Sequence, residues 1–146
     1  MANPFEALRR AIALQSDEIL ELAFDKEPVK REVKRLNTEV QMYEQGLNAD
    51  GEMMGDYSPK TVRIKQIEGK RYDHVTGLDT GEMYDSTTVS TDAVGININI
   101  NTIKDGEDFQ TKYGKVPGLT EANTGELGRF ALPYVCEEAR EVLGLR

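Results

Sequence analysis

The run Ile96-Asn97-Ile98-Asn99-Ile100-Asn101 alternates one branched apolar residue with one amide without a break, and it leaves the backbone little choice. On a helix the three isoleucines would fall on opposite sides of the axis. On a strand, where successive side chains point to opposite faces, they share one face and the amides share the other. Thr87 to Asp92, rich in Thr and Val, supplies a partner strand, and Ala93-Val94 with Gly95 suits the connecting turn. The hairpin should bury its isoleucine face and wet its asparagine face, because a slip of one residue would bury three amides.

The segments on either side read as helices. Asn3, Pro4 and Glu6 form a helix start: a capping amide, a proline where no N–H is needed, and an acid in the first turn. The helix should run to about Phe24 with Phe5, Leu8, Ala11, Ile12, Ile19, Leu22 and Ala23 as a buried stripe. Pro28 forces a new start. Val29, Val33, Leu36, Val40, Tyr43 and Leu47 then alternate steps of four and three, the seam of a helix against a neighbour, ending at Gly46 and the turn residues Asn48 to Gly51. Near the C-terminus, Leu127, Phe130, Ala131, Tyr134, Val135, Ala139, Val142 and Leu143 follow helical spacing. Pro133 should kink that helix and Gly144 should stop it. The class is α+β: N-terminal helices and a C-terminal helix packed on a small antiparallel sheet. At 146 residues the chain 1–146 fits one domain with one core.

Residues 49 to 77 are different, rich in glycine and charge, and read as a long extended arm protruding from the body. Ser58-Pro59 can open a short helix over Lys60 to Lys65, although the alternation of Val62 and Ile64 with Arg63 and Lys65 also suits a strand. Lys60, Arg63, Lys65, Lys70 and Arg71 make a basic patch on an otherwise acidic chain. Tyr57, Pro59, Ile64, Ile67 and Tyr72 are spaced as apolar anchors. Together these residues are the candidate contacts with a second subunit or partner.

Composition narrows the function classes. A formal charge of −8 and a pI near 4.8 do not suit a surface built to neutralise phosphates. The single Cys136 has no internal disulfide partner, and no apolar run is long enough for a membrane span, so the chain reads as made in a reducing compartment. No cofactor or metal pattern stands out: the acids around Asp50-Gly51-Glu52 and Asp105 to Asp108 lack calcium-loop spacing, and the glycines form no phosphate loop.

Catalytic candidates each have a plainer explanation. Leu78-Asp79-Thr80-Gly81 contains the D-T-G of aspartic proteases, whose paired carboxylates share a proton. Yet Asp79 and Glu82 stand in capping-box relation, so helix capping over Thr80 to Ser86 accounts for the same residues. His74, the only histidine, lies in the polar arm without a neighbouring nucleophile and reads as a surface residue. Cys136 reads as a small packed hydrophobe. No catalytic residue is assigned.

The stretch YSPKTVRIKQIEGKRYDHVTGLDTGEMYDSTTV, residues 57 to 89, resembles the core signature of tailed-bacteriophage neck, or tail-completion, proteins. Tyr57, Ser58, Pro59, Thr61 and Lys65 match its Ser-Pro-x-Thr segment with a following Lys. Leu78, Thr80, Gly81, Met83 and Ser86 match its apolar-x-Thr-Gly-x-apolar turn ending in Ser. The wording is most similar to versions from phages and prophages of gut Bacteroidales, including crAss-like phages, where Tyr113-Gly114 and Gly118-Leu119-Thr120 also fit. The resemblance covers about residues 40 to 146 and departs at Gly77, where an apolar residue is usual, and at Thr87-Thr88. It implies a non-enzymatic virion protein forming a homo-oligomeric ring, often of twelve copies, between the portal and other neck or tail proteins. DNA would pass through without specific binding. The alternative is a small binding or inhibitor module encoded by a mobile element and acting on a host protein.

Overall fold

The structure, a computed structural model, describes residues 3–144. Helix α1 (Pro4–Phe24) starts where Asn3 Oδ1 accepts the Phe5 N–H at 2.9 Å. Helix α2 (Glu27–Arg35) opens around Pro28 and continues without a break as a π-helical segment, Leu36–Glu44. Helices α3 (Pro59–Ile67), α4 (Glu82–Asp85), α5 (Phe109–Tyr113) and α6 (Glu121–Val142) follow. Between them lie two antiparallel pairs, β1 (Thr88–Thr91) with β2 (Ile96–Asn99), and β3 (Ile103–Lys104) with β4 (Glu107–Asp108). The class is α+β.

The first hairpin has Val89 opposite Ile98 and Thr91 opposite Ile96. Its turn is held by Asp92, whose Oδ1 accepts the N–H groups of Val94 and Gly95 at 2.8 and 2.9 Å. Asn97, Asn99 and Asn101 are exposed, while Ile96, Ile98 and Ile100 are half-buried rather than fully enclosed. A two-stranded ribbon has too little neighbouring sheet to cover its face completely. The second hairpin turns at Asp105-Gly106. Asp105 and Gly106 take φ of +53° and +80°, the left-handed pair that an Asp-Gly hairpin turn requires.

Two hydrophobic clusters replace the expected single core. Val29, Val33, Leu36, Leu127 and Ala131 form the first, with Val89, Ile96 and Ile98 against it. Met42, Met54, Val75, Tyr84 and Val116 form the second, with Ile100, Phe109 and Tyr113 against it. The π-helical segment runs from one to the other. Thr38 Oγ1 donates back to the Lys34 carbonyl at 2.7 Å where this segment begins, a bond that competes with regular helical pairing. Wider turns shift the buried face. Val40, Tyr43 and Leu47 of the expected seam are only half-buried, and Asn37, Gln41 and Met42 are fully enclosed instead.

Along α1, Ile19 and Ala23 are buried as expected, but Phe5, Leu8 and Leu22 are exposed, Phe5 to 74%. The side chains of Ala11 and Ile12 lie outside the described residues. Helix α6 continues through Pro133 to Val142 and stops at Gly144, φ +66°. It buries Leu127 and Ala131, and its Glu138 reaches the Lys26 ammonium at 2.9 Å, tying the α1–α2 junction to this helix. Cys136 is exposed on α6 rather than packed.

Candidate functional site

Residues 49 to 77 are fastened to the body at both ends. Met54, His74, Val75 and Thr76 are buried, the Val75 N–H donates to the Gly55 carbonyl at 2.8 Å, and the Tyr57 hydroxyl accepts the Thr76 N–H at 3.0 Å. A few apolar residues suffice here because backbone and hydroxyl hydrogen bonds satisfy the polar remainder. Apolar content alone is blind to those bonds.

Helix α3 sits on this folded segment. Ser58 Oγ accepts the Thr61 N–H at 3.3 Å and Pro59 occupies the first turn, so the helical reading of Lys60 to Lys65 holds and extends to Ile67. Under α3 lies a groove of about 540 Å³, within the range of ligand clefts. Tyr57, Ile64 and Lys65 line it from one side, Leu78 from the next loop, Met83 from α4, and Phe109 from α5. Lys104 and Ile103 of the second hairpin complete its rim.

The expected contact residues divide into two groups. Lys65 is buried at 6% exposure. Its ammonium donates to the Leu78 carbonyl at 3.0 Å and lies 4.5 Å from the Tyr57 ring centroid. Lys70 pairs with Glu68 and Asp79 at 2.9 and 3.0 Å. Arg71 pairs with Asp73 at 2.7 Å and stacks over Tyr43. These three cations serve the fold, and Tyr57 is held within it. Pro59, Lys60, Arg63, Ile64, Ile67 and Tyr72 remain exposed, so the basic patch contracts to Lys60 and Arg63.

The capping box at Asp79 is not formed. The residue before α4 is Gly81, φ +90°, and makes no side-chain cap. Asp79 instead bridges the ammoniums of Lys70 and Lys104 at 3.0 and 3.2 Å. The Lys70 bond first, then that of Lys104, hold its carboxyl below the usual carboxylate range, the reverse of an acid that must share a proton. His74 is buried, not on the surface, with Nδ1 3.1 Å from the Val75 carbonyl and Nε2 3.2 Å from that of Glu44. Burial pushes the Tyr84 phenol far up, and its hydroxyl donates to the Thr76 carbonyl.

Neither a protein-family model, nor a curated protein, nor a solved structure matches this chain. Among the described residues no cluster of three or more His, Cys, Asp or Glu could hold a metal ion, and no helix is long and apolar enough to cross a membrane. The groove, with an apolar floor and a rim of paired charges, is suited to binding.

Sequence reasoning missed the amides that shape the loop between α5 and α6. Asn37 donates to the Val116 carbonyl and accepts the Gly118 N–H, both at 2.9 Å. Asn48 donates to the Tyr113 carbonyl at 3.1 Å and caps the following turn through the N–H groups of Asp50 and Glu52. The signal was the spacing of Asn37, Gln41 and Asn48 beside the apolar seam, which reads as a solvated face unless the turn is wider than α-helical. Gly77 also gains a reason: its φ of +73° suits a residue without a side chain.

Proposed function

We propose that this chain is a non-enzymatic structural subunit of the neck of a tailed bacteriophage particle, one copy in a ring that joins head to tail. The observation that carries the reading is uncovered apolar surface on the helices. Leu20 and Leu22 of α1, Ile64 and Ile67 of α3, and Phe130 and Leu132 of α6 are all exposed, Ile67 to 81%. Apolar surface left open by the fold marks interaction sites. Single exposed residues would be ordinary, but Ile64 and Ile67 stand one turn apart on α3, and α1 and α6 each leave two more apolar residues uncovered on different sides, which suits a subunit with neighbours on several sides. The resemblance of residues 57 to 89 to neck proteins supports the same reading. So does the charge of −8, since acidic walls let DNA pass without gripping it. The partners are further copies of the chain, the portal, and adjacent neck or tail proteins, and the site of action is the virion.

Mass spectrometry of purified particles tests this. The chain should be present in fixed ratio to the portal, and disrupting its gene should leave heads and tails unjoined. Its absence from purified particles would end the proposal. The groove beneath α3 favours one other reading, a module encoded by a mobile element that binds a host protein. Recovery from infected cells on a single host partner, and never in particles, would select it.

A further inference from the structure

We propose that the exposed flank of α3 beside the groove docks into an acidic hollow between α1 and the β1–β2 turn of a second copy, making a head-to-tail contact between unlike surfaces. The proposal rests on the neck reading only for the need to self-assemble. The surfaces themselves are given by the fold.

On α3, Ile64 and Ile67 stand exposed at 45% and 81%, one turn apart and therefore side by side. Lys60 and Arg63 flank them. The other cations of this segment are engaged, Lys65 with a carbonyl and Lys70 and Arg71 with acids. Lys60 and Arg63 have no ion pair among the described residues. The face is an apolar ridge carrying two uncompensated positive charges.

The hollow has the opposite character. It encloses about 290 Å³ and is walled by Asp17, Leu20, Glu21 and Phe24 of α1 together with Val94 and Ile96 of the hairpin. Among the described residues its lining includes Asp92 and no Lys or Arg. Asp92 is committed to its own turn and to Asn97, which leaves Asp17 and Glu21 as the acids facing outward. Val94 is 97% exposed. An apolar floor with two carboxylates at its rim that make no ion pair among the described residues complements the α3 ridge in both shape of surface and sign of charge.

The ridge lies over the second hydrophobic cluster and the hollow beside the first, so each copy offers one of each. A contact between unlike patches passes from copy to copy, closing into a ring or running on as a filament. It differs in kind from the two-fold dimer that a self-complementary patch would give.

Charge reversal tests the pairing. Self-association of the full chain, followed by sedimentation velocity, should weaken about tenfold or more in Lys60→Glu/Arg63→Glu and likewise in Asp17→Lys/Glu21→Lys. Combining the two sets should restore most of it, and added salt should weaken the wild type but not a variant lacking these charges. Circular dichroism of each variant separates lost contact from lost fold. Zero-length carbodiimide coupling of a mixture of isotopically light and heavy protein should join Lys60 to Asp17 or Glu21 between copies. A wild type that stays monomeric, reversals without effect, or a combined variant without rescue would each overturn the contact while leaving the neck reading intact. Absence of the chain from particles would do the converse.

Discussion

The carboxamides of Gln41 and Asn123 meet at 3.1 Å, both enclosed by protein. This contact ties the π-helical segment to the first turn of α6. Gln41 also accepts the Thr120 N–H and donates to the Gly118 carbonyl, each at 2.8 Å. Gln41→Ala therefore strands several buried polar groups at once, each costing about 1–3 kcal/mol. The expected loss is about 3 kcal/mol or more, read from the urea midpoint. A loss below about 1 kcal/mol would mean that water replaces the amide and that the network does not hold the loop.

Gly114 has φ +86°, and a Cβ there would come within 2.6 Å of Asn48 Nδ2. Gly114→Ala should combine left-handed strain with loss of the Asn48 bond to Tyr113, destabilising by more than about 1 kcal/mol. Gly106, also at positive φ but with open space around it, is the control. Gly106→Ala should cost only the backbone term, about 1 kcal/mol. Equal effects in thermal unfolding would remove the steric part of the explanation.

Asp79, bridging Lys70 and Lys104, makes a pH prediction with a definite sign. Its folded-state carboxyl is held below the ordinary value of 3.8, so its contribution is fully present above that value and is lost as pH falls through the lowered one. The pair is largely exposed, with side chains at 33% for Lys70 and 62% for Asp79, so the contribution at neutral pH is at most about 1 kcal/mol. Asp79→Asn should be slightly less stable than wild type at pH 7, and the difference should shrink as the pH falls below the ordinary carboxylate value. A difference that grew on acidification would contradict the bridge.

Ile98 lies against the first cluster while Asn99 faces outward opposite Thr88. Ile98→Asp, placing a charge on that apolar side, should cost more than about 2 kcal/mol. Asn99→Asp should change stability by no more than about 0.5 kcal/mol. Chemical denaturation of both variants measures the contrast, and similar values would show that the hairpin face is not part of the core.

Local chemistry makes several elements legible from the amino-acid order alone. Asn3-Pro4 and Ser58-Pro59 announce helix starts because capping and proline geometry involve only near neighbours in the chain. The alternation from Ile96 to Asn101 specifies a strand for the same reason. The Asp105-Gly106 turn is equally local, but its flanking strands are only two residues each, too short for alternation to reveal them.

Tertiary structure alone decided the rest. Whether Lys65 is a surface charge or a buried tie depends on Leu78 and Tyr57 arriving beside it. Asp79 caps nothing because two lysines, nine and twenty-five residues away along the chain, reach it instead. The π-helical turn that enclosed Asn37 and Gln41 rotated polar residues inward, where backbone groups of the 116–120 loop satisfied them. Periodicity identifies which residues share a face. It is silent on which donors and acceptors the fold brings to that face, and those partners determine whether a polar side chain is exposed or built into the interior.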